Sequence, residues 1–189
     1  MDLVLIRHPA VRVDAGVCYG QSDVPLADDV AASARVLDER MRALKVPACA
    51  GVWHTSPLQR CALLADALGA SHADARLMEM DFGAWEGCAW DDIDRTSLDA
   101  WADDLDHART HGGESLAQFS ARVGRWFDET CREGDAPVHV VTHAGVIRVL
   151  TARLIEARTA SVLQWAIDHG GIVWLRRTRG EWFLVRWNA

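Results

Sequence analysis

No apolar run in this 189-residue chain is long enough to span a bilayer, and no basic leader precedes the first apolar segment, Leu3-Val4-Leu5-Ile6. A soluble cytoplasmic protein is the expectation. Positive charge is in deficit, with a formal net charge of −7. Nonspecific binding to nucleic acid or to an anionic membrane needs a basic surface, so neither is an expected partner, and an anionic substrate has to be captured by local cations. Paired cysteines are missing too. The five present, Cys18, Cys49, Cys61, Cys88 and Cys131, are odd in number and scattered, with no C-x-x-C pair and no His/Cys ligand spacing. They read as reduced, buried thiols, without a disulfide framework or a metal site. Repeats, linkers and low-complexity tracts are likewise absent. With half its residues apolar, the chain suits a single domain over residues 1–189 with a sizeable core.

What is present alternates between strand-like and helix-like pattern. Residues 2–7 are nearly all apolar, as in a strand buried on both faces. Val30, Ala34, Leu37, Met41 and Leu44 recur at helical spacing. Gly51–Thr55 reads as a second strand, and Ser56-Pro57 as the N-cap and first position of the next helix, placing Arg60 on its first turn. An Asp-rich, Trp-bearing stretch up to His111 suggests short surface helices. Gly112-Gly113-Glu114-Ser115 then opens a helix with an inner face of Leu116, Phe119, Val123, Trp126 and Phe127. Val138–Thr142 is a further buried strand followed by a helix from about Ala144 to Ile155, and the segments around Arg179-Gly180 form a hairpin. The alternation implies an α/β layer fold, whose ligands collect beyond the carboxyl ends of the parallel strands. Arg7-His8, Thr55-Ser56 and Thr142-His143 each fall at such an end.

Those residue types suit phosphoryl transfer, which needs an in-line nucleophile, cations around the other oxygens and a proton for the leaving alcohol. A neutral imidazole can attack phosphorus if an acceptor holds its second nitrogen, which makes His8 the candidate nucleophile. Arg7 and Arg60 offer guanidinium forks, and the helix expected to begin near Ser56 offers backbone N–H groups. His143, if protonated, could contact the same oxygens. Glu79 is the candidate acid, with Asp81 and Glu86 close by in the same loop as alternatives. His54, His72, His107, His111 and His139 read as structural or solvated, and His169 as a possible rim residue. Trp85, Trp90 and Trp101 read as core packing or, alternatively, as an aromatic wall.

Four motifs in order resemble the histidine phosphatase superfamily: Leu5-Ile6-Arg7-His8; Thr55-Ser56-Pro57-Leu58-Gln59-Arg60; Glu79 with Phe82-Gly83-Ala84-Trp85-Glu86-Gly87; and Val141-Thr142-His143-Ala144-Gly145-Val146-Ile147-Arg148. Gly113-Glu114-Ser115 is a fifth, weaker match. The resemblance implies a phosphoglycerate mutase-like α/β/α sandwich with a mostly parallel sheet. It also implies His8 as nucleophile, Arg7, Arg60 and His143 as the phosphate pocket, Glu79 as proton donor, a small phosphomonoester as substrate and no cofactor. Gly16–Leu26 and Ile167–Gly171 are similar to the branch acting on alpha-ribazole phosphate in cobalamin assembly, which implies substrate contacts at Tyr19, Gly20, Gln21 and Ala144. The chain departs from the superfamily at Pro9-Ala10, where glycine usually follows the histidine, and it lacks an asparagine a few residues further on. Proline removes an N–H that could have faced the phosphate. A mutase, a broad phosphatase, a phosphoprotein phosphatase and a non-catalytic phosphate-binding module stand as rival readings.

Overall fold

The protein is described by a computed structural model covering residues 1–49, 51–131 and 135–189. Strand β1 (Asp2–Arg7) lies within the sheet, and Leu3, Val4, Leu5 and Ile6 are all fully buried. Successive side chains point to opposite faces, so a run apolar at four successive positions must be covered on both. Leu3 and Leu5 enter one core cluster, and Val4 and Ile6 the other.

The remaining strands are β2 (Trp53–Thr55), β3 (Ser71–Ala73), β4 (Val138–Thr142), β5 (Ile172–Thr178) and β6 (Glu181–Arg186), in spatial order β3-β2-β4-β1-β5-β6. The first four run parallel; β5 is antiparallel to β1, and β6 to β5. The β5–β6 turn places Arg179 at φ 54° and Gly180 at φ 89°. Two successive positive φ values match the right-handed twist of a hairpin. Strand β3 was not anticipated, because its three residues are too few to show a period, and β2 begins at Trp53 rather than Gly51.

Helices α1 (Val30–Ala43) and α2 (Gln59–Leu68) cover one face, packing Leu37, Met41, Cys61 and Leu64 against Val4, Ile6, Val141 and Trp174. Between α2 and the other layer comes α3 (Arg95–Asp103) in the acidic stretch. Helices α4 (Leu116–Thr130) and α5 (Ala144–Leu154) cover the opposite face with Phe119, Val123, Trp126, Ile147 and Leu150. Each such side chain contributes roughly 1.5–3 kcal/mol by leaving water. Ser115 caps α4 in a reciprocal box with Gln118. A short α6 (Thr159–Val162) follows α5. The result is the expected α/β/α sandwich.

The acidic stretch is less simple than a solvated face. Its charges face outward, but Trp90 and Trp101 pack with Phe82 and Trp85 in a third apolar cluster. Cysteine burial also differs from expectation: all five thiols are free, Cys18, Cys61 and Cys131 are buried, Cys49 is half-buried and Cys88 is exposed. No described helix is long and apolar enough to cross a membrane.

Candidate active site

The three strand ends are stitched together just where their polar residues begin. The His8 N–H donates to Thr142 O at 2.9 Å, and the Ser56 N–H to Val141 O at 3.1 Å. Continuing the ladder one residue past the apolar strands carries His8, Ser56 and His143 into one place by backbone geometry alone. His8 and His143 have ring centroids 5.3 Å apart.

His8 is 2% exposed, and its Nδ1 lies 2.7 Å from Pro9 O. Burial drives its pKa well below the ordinary histidine value; the Pro9 carbonyl opposes this, while Arg60 and Arg7 reinforce it. A neutral ring that donates Nδ1–H to that carbonyl leaves an unprotonated Nε2 lone pair, the tautomer an attacking imidazole requires. Proline at position 9 therefore removes an N–H but supplies the acceptor.

Arg60 is fully buried and donates from Nη1 to Ser22 O at 2.7 Å and from Nη2 to Gly20 O at 2.6 Å. Arg7 donates from Nη1 to Ile167 O at 2.6 Å. The Nε of each is buried with no partner among the described residues. Both N–H groups are unspent donors on side chains that line the same cavity as His8, a setting in which an oxyanion partner is worth most.

The expected helix start needs correction. Helix α2 begins at Gln59, with Leu58 in the cap position. The Ser56 hydroxyl accepts from the Leu58 N–H at 3.3 Å, ahead of the helix, and also meets His143 Nε2 at 2.8 Å. The first α2 amide, from Gln59, donates to Asp23 Oδ1 at 2.8 Å. A carboxylate from the loop after β1 thus occupies the helix end that had been expected to serve phosphate.

His143 is fully buried, with Cys61 Sγ 3.5 Å from Nε2. Burial, then Arg60, His8 and Arg7, push its pKa well below the ordinary value. These effects favour the neutral ring, whereas contact with phosphate oxygens is expected of a protonated one. A phosphate dianion would reverse that electrostatic sign.

The three loop carboxylates separate cleanly. Glu79 accepts from the Gly145 N–H at 3.0 Å and the Met80 N–H at 3.0 Å, and it lines the cavity. Glu86 accepts from the Gln21, Phe82 and Ser22 backbone amides and from the Ser22 hydroxyl. Burial disfavours its charge, yet the donors, led by Ser22, outweigh that and hold its carboxyl below the usual range. Asp81 accepts from Gly83 N–H at 2.8 Å and borders a separate surface pocket. Glu86 and Asp81 hold loops; Glu79 faces the cavity.

That cavity, of about 670 Å³, runs from His8, Arg7, Arg60 and His143 to an apolar wall that includes Phe82, Trp90, Trp101 and Leu105. Tyr19 and Gly20 line it, and the Arg60 guanidinium sits 5.3 Å from the Tyr19 ring centroid. At Gly20 a Cβ would meet Met80 O at 2.3 Å and Glu86 Oε1 at 2.5 Å, so only glycine lets the two loops close. Gln21 and Ala144 do not line it. Gln21 instead donates from Nε2 to Glu79 O at 3.1 Å, and Ala144 packs against the core under α5. Two contributors were missed or undervalued: Arg148 lines the wall, and His169 sits with its ring 5.3 Å from His8. The signal for Arg148 was its place one helical turn after Ala144.

A neutral imidazole, one fully buried and one half-buried guanidinium and a carboxyl group sharing one concave space are equipped to move a phosphoryl group from an alcohol, and the class they define is a phosphatase. The chain belongs to the histidine phosphatase superfamily (branch 1), whose family model matches residues 3–189. It is 33% identical to a glucosyl-3-phosphoglycerate phosphatase of Mycolicibacterium vanbaalenii, over 99% of this chain and 94% of that protein. It is 28% identical to an adenosylcobalamin/alpha-ribazole phosphatase of Salmonella typhimurium, over 90% of this chain and 87% of that one. Among solved structures, an alpha-ribazole phosphatase from Shigella flexneri superposes with a TM-score of 0.85 at 27% identity, covering 100% of this chain and 96% of the other. The relatives are phosphatases of small phosphate esters, and this chain is a phosphatase of the same superfamily.

Proposed function

We propose that the chain hydrolyses a small phosphomonoester through a phosphohistidine on His8, with no cofactor. In the first step the His8 Nε2 lone pair attacks phosphorus, the bond from phosphorus to the ester oxygen breaks, and Glu79 transfers a proton to the departing alkoxide. Arg7, Arg60 and His143 surround the three remaining oxygens. In the second step water attacks phosphorus, its proton passes to the Glu79 carboxylate, and the P–N bond breaks to restore neutral His8. The observation that carries this reading is the 2.7 Å contact between His8 Nδ1 and Pro9 O, on a ring that burial keeps neutral. His8→Ala should abolish turnover of p-nitrophenyl phosphate and the acid-labile phosphoenzyme seen on rapid quenching, with the fold retained by circular dichroism. Turnover at the parental rate would refute the assignment.

For the substrate, the favoured reading is alpha-ribazole 5′-phosphate. Its flat benzimidazole matches a wall that includes Phe82, Trp90 and Trp101, and relatives of that name cover most of the chain. A second reading, glucosyl-3-phosphoglycerate, is favoured by Arg148, a cation on the cavity wall where a carboxylate could sit. Comparing kcat/KM for the two esters decides between them, and inclusion of phosphoglycerates, sugar phosphates and a phosphopeptide tests the mutase and phosphoprotein alternatives. A preference for another class would remove the cobalamin assignment.

A further inference from the structure

The Gly113-Glu114-Ser115 motif has been given no part in the chemistry beyond the Ser115 cap. Glu114 stands just before α4, and its carboxylate receives both edges of the Arg122 guanidinium, Nε to Oε1 at 2.7 Å and Nη2 to Oε2 at 2.6 Å. Both side chains are mostly buried, 15% exposed for Arg122 and 20% for Glu114. A bidentate pair of this kind fixes the plane as well as the place of the guanidinium. Its remaining N–H groups all point at one stretch of chain: Nη1 donates to Arg76 O at 2.9 Å and Met78 O at 3.0 Å, and Nη2 to Glu79 O at 3.1 Å. Glu114 holds the far side of the same stretch, its Oε2 accepting from the Asp81 N–H at 3.1 Å and its own N–H donating to Asp81 O at 2.9 Å.

After a single 3-10 turn at Ala75–Leu77, the segment 78–81 belongs to no strand or helix, so no ladder holds it in place. It nevertheless carries Glu79, whose carboxylate must approach the Gly145 amide so closely that a Cβ on Gly145 would lie 2.1 Å from Glu79 Oε1. Arg122 also lies 5.1 Å over the ring of Phe119, another cavity residue that would touch that same Cβ. One guanidinium therefore sets the main chain of Glu79 from behind while its side chain is set in front by α5.

We propose that the Glu114–Arg122 pair is a positioning device for proton donation by Glu79, holding that carboxyl group in register with the ester oxygen. The inference rests on Glu79 being the acid. A misplacement of about 1 Å at a reacting group can cost on the order of 100-fold in rate, so the pair acts on chemistry through alignment rather than through contact with substrate.

Leaving-group dependence separates this role from simple support of the fold. p-Nitrophenolate departs as a stable anion and gains little from an acid, whereas an alkoxide needs the proton. In Arg122→Ala, kcat/KM for an alkyl phosphate should fall by about 30- to 100-fold, at least tenfold more than for p-nitrophenyl phosphate. Glu114→Gln, which keeps one acceptor, should show the same selectivity in weaker form, and Arg122→Lys should not restore the parent because an ammonium cannot bridge bidentately. Equal losses on both esters in folded Arg122→Ala and Glu114→Gln proteins, or no loss in either, would overturn the proposal. Glu79→Gln is the reference. If it shows the leaving-group selectivity and the pair variants do not, the positioning role fails while Glu79 stands as acid. If Glu79→Gln itself shows none, the assignment of Glu79 fails and the positioning role falls with it.

Discussion

The two ends of the cavity are built by different physics. At the His8 end, His8, Ser56 and His143 extend three hydrogen-bonded strands, and Arg60 is bound through two carbonyls. At the aromatic end, Phe82, Trp90 and Trp101 come from loops and short helices and meet edge to face, with Phe82–Trp90 and Phe82–Trp101 centroids 5.6 and 6.4 Å apart. Directional hydrogen bonds fix atoms, whereas aromatic packing fixes a shape and leaves the atoms exchangeable. The His8 end should therefore tolerate almost no substitution, and the aromatic end should tolerate many with graded effects.

Three measurements probe that contrast in descending size of effect. Arg60→Met keeps volume but removes the cation and leaves the Gly20 and Ser22 carbonyls without their donor. kcat/KM for p-nitrophenyl phosphate should fall by about 10³-fold and stability by roughly 2–4 kcal/mol, read by steady-state kinetics and urea unfolding. Retention of more than about a tenth of the parental kcat/KM would erase the distinction between the ends.

The second is a pH effect. Burial lowers the folded-state pKa of His8 and His143 well below the ordinary value and that of His139 to about 4. Below the ordinary value near 6.5 the unfolded chain takes up protons that the folded rings refuse, so stability is lost as pH falls and the loss levels off below the folded pKa. Each ring should contribute about 1.4 kcal/mol per pH unit within its window. Unfolding free energies measured from pH 7 to pH 5 should decline accordingly. His139→Gln, remote from the cavity lining, should flatten that decline by one ring's share, and an unchanged slope would exclude it.

The smallest effect belongs to the aromatic end. Trp90→Leu should raise KM for an ester with a flat aromatic leaving group roughly fivefold, most of the change falling in KM rather than kcat. A drop in kcat as large as that of Arg60→Met would show that the wall, too, is part of the chemistry.

Much of the scaffold could be read from pattern because burial imposes period. The all-apolar run 3–6 and the helical spacing through Val30, Leu37 and Met41 report covered faces directly, and β1, α1 and α4 follow them closely. Failures occurred where a side chain found a better partner than the local rule supplies. Ser56 still accepts the Leu58 N–H and shares its hydroxyl with His143, but the helix starts only at Gln59, whose amide is held by Asp23 from 36 residues away. The preference of His143 for its neutral form was not legible, because pattern carries no information about desolvation. Trp90 and Trp101, read as core packing or an aromatic wall, do both: they sit among aspartates in sequence but among aromatics in space, and they line the cavity.

The sequence by itself determined the layered fold, the family, and the placement of Arg7-His8, Thr55-Ser56 and Thr142-His143 at strand ends, because strand period and residue order are local properties. Tertiary structure alone decided that Pro9 supplies the acceptor for His8, that Glu79 rather than Glu86 or Asp81 faces the cavity, and that Glu114 and Arg122 brace it. Tautomer, protonation and carboxylate orientation depend on which donors and how much water surround an atom, and folding brings those surroundings from segments far apart in the chain.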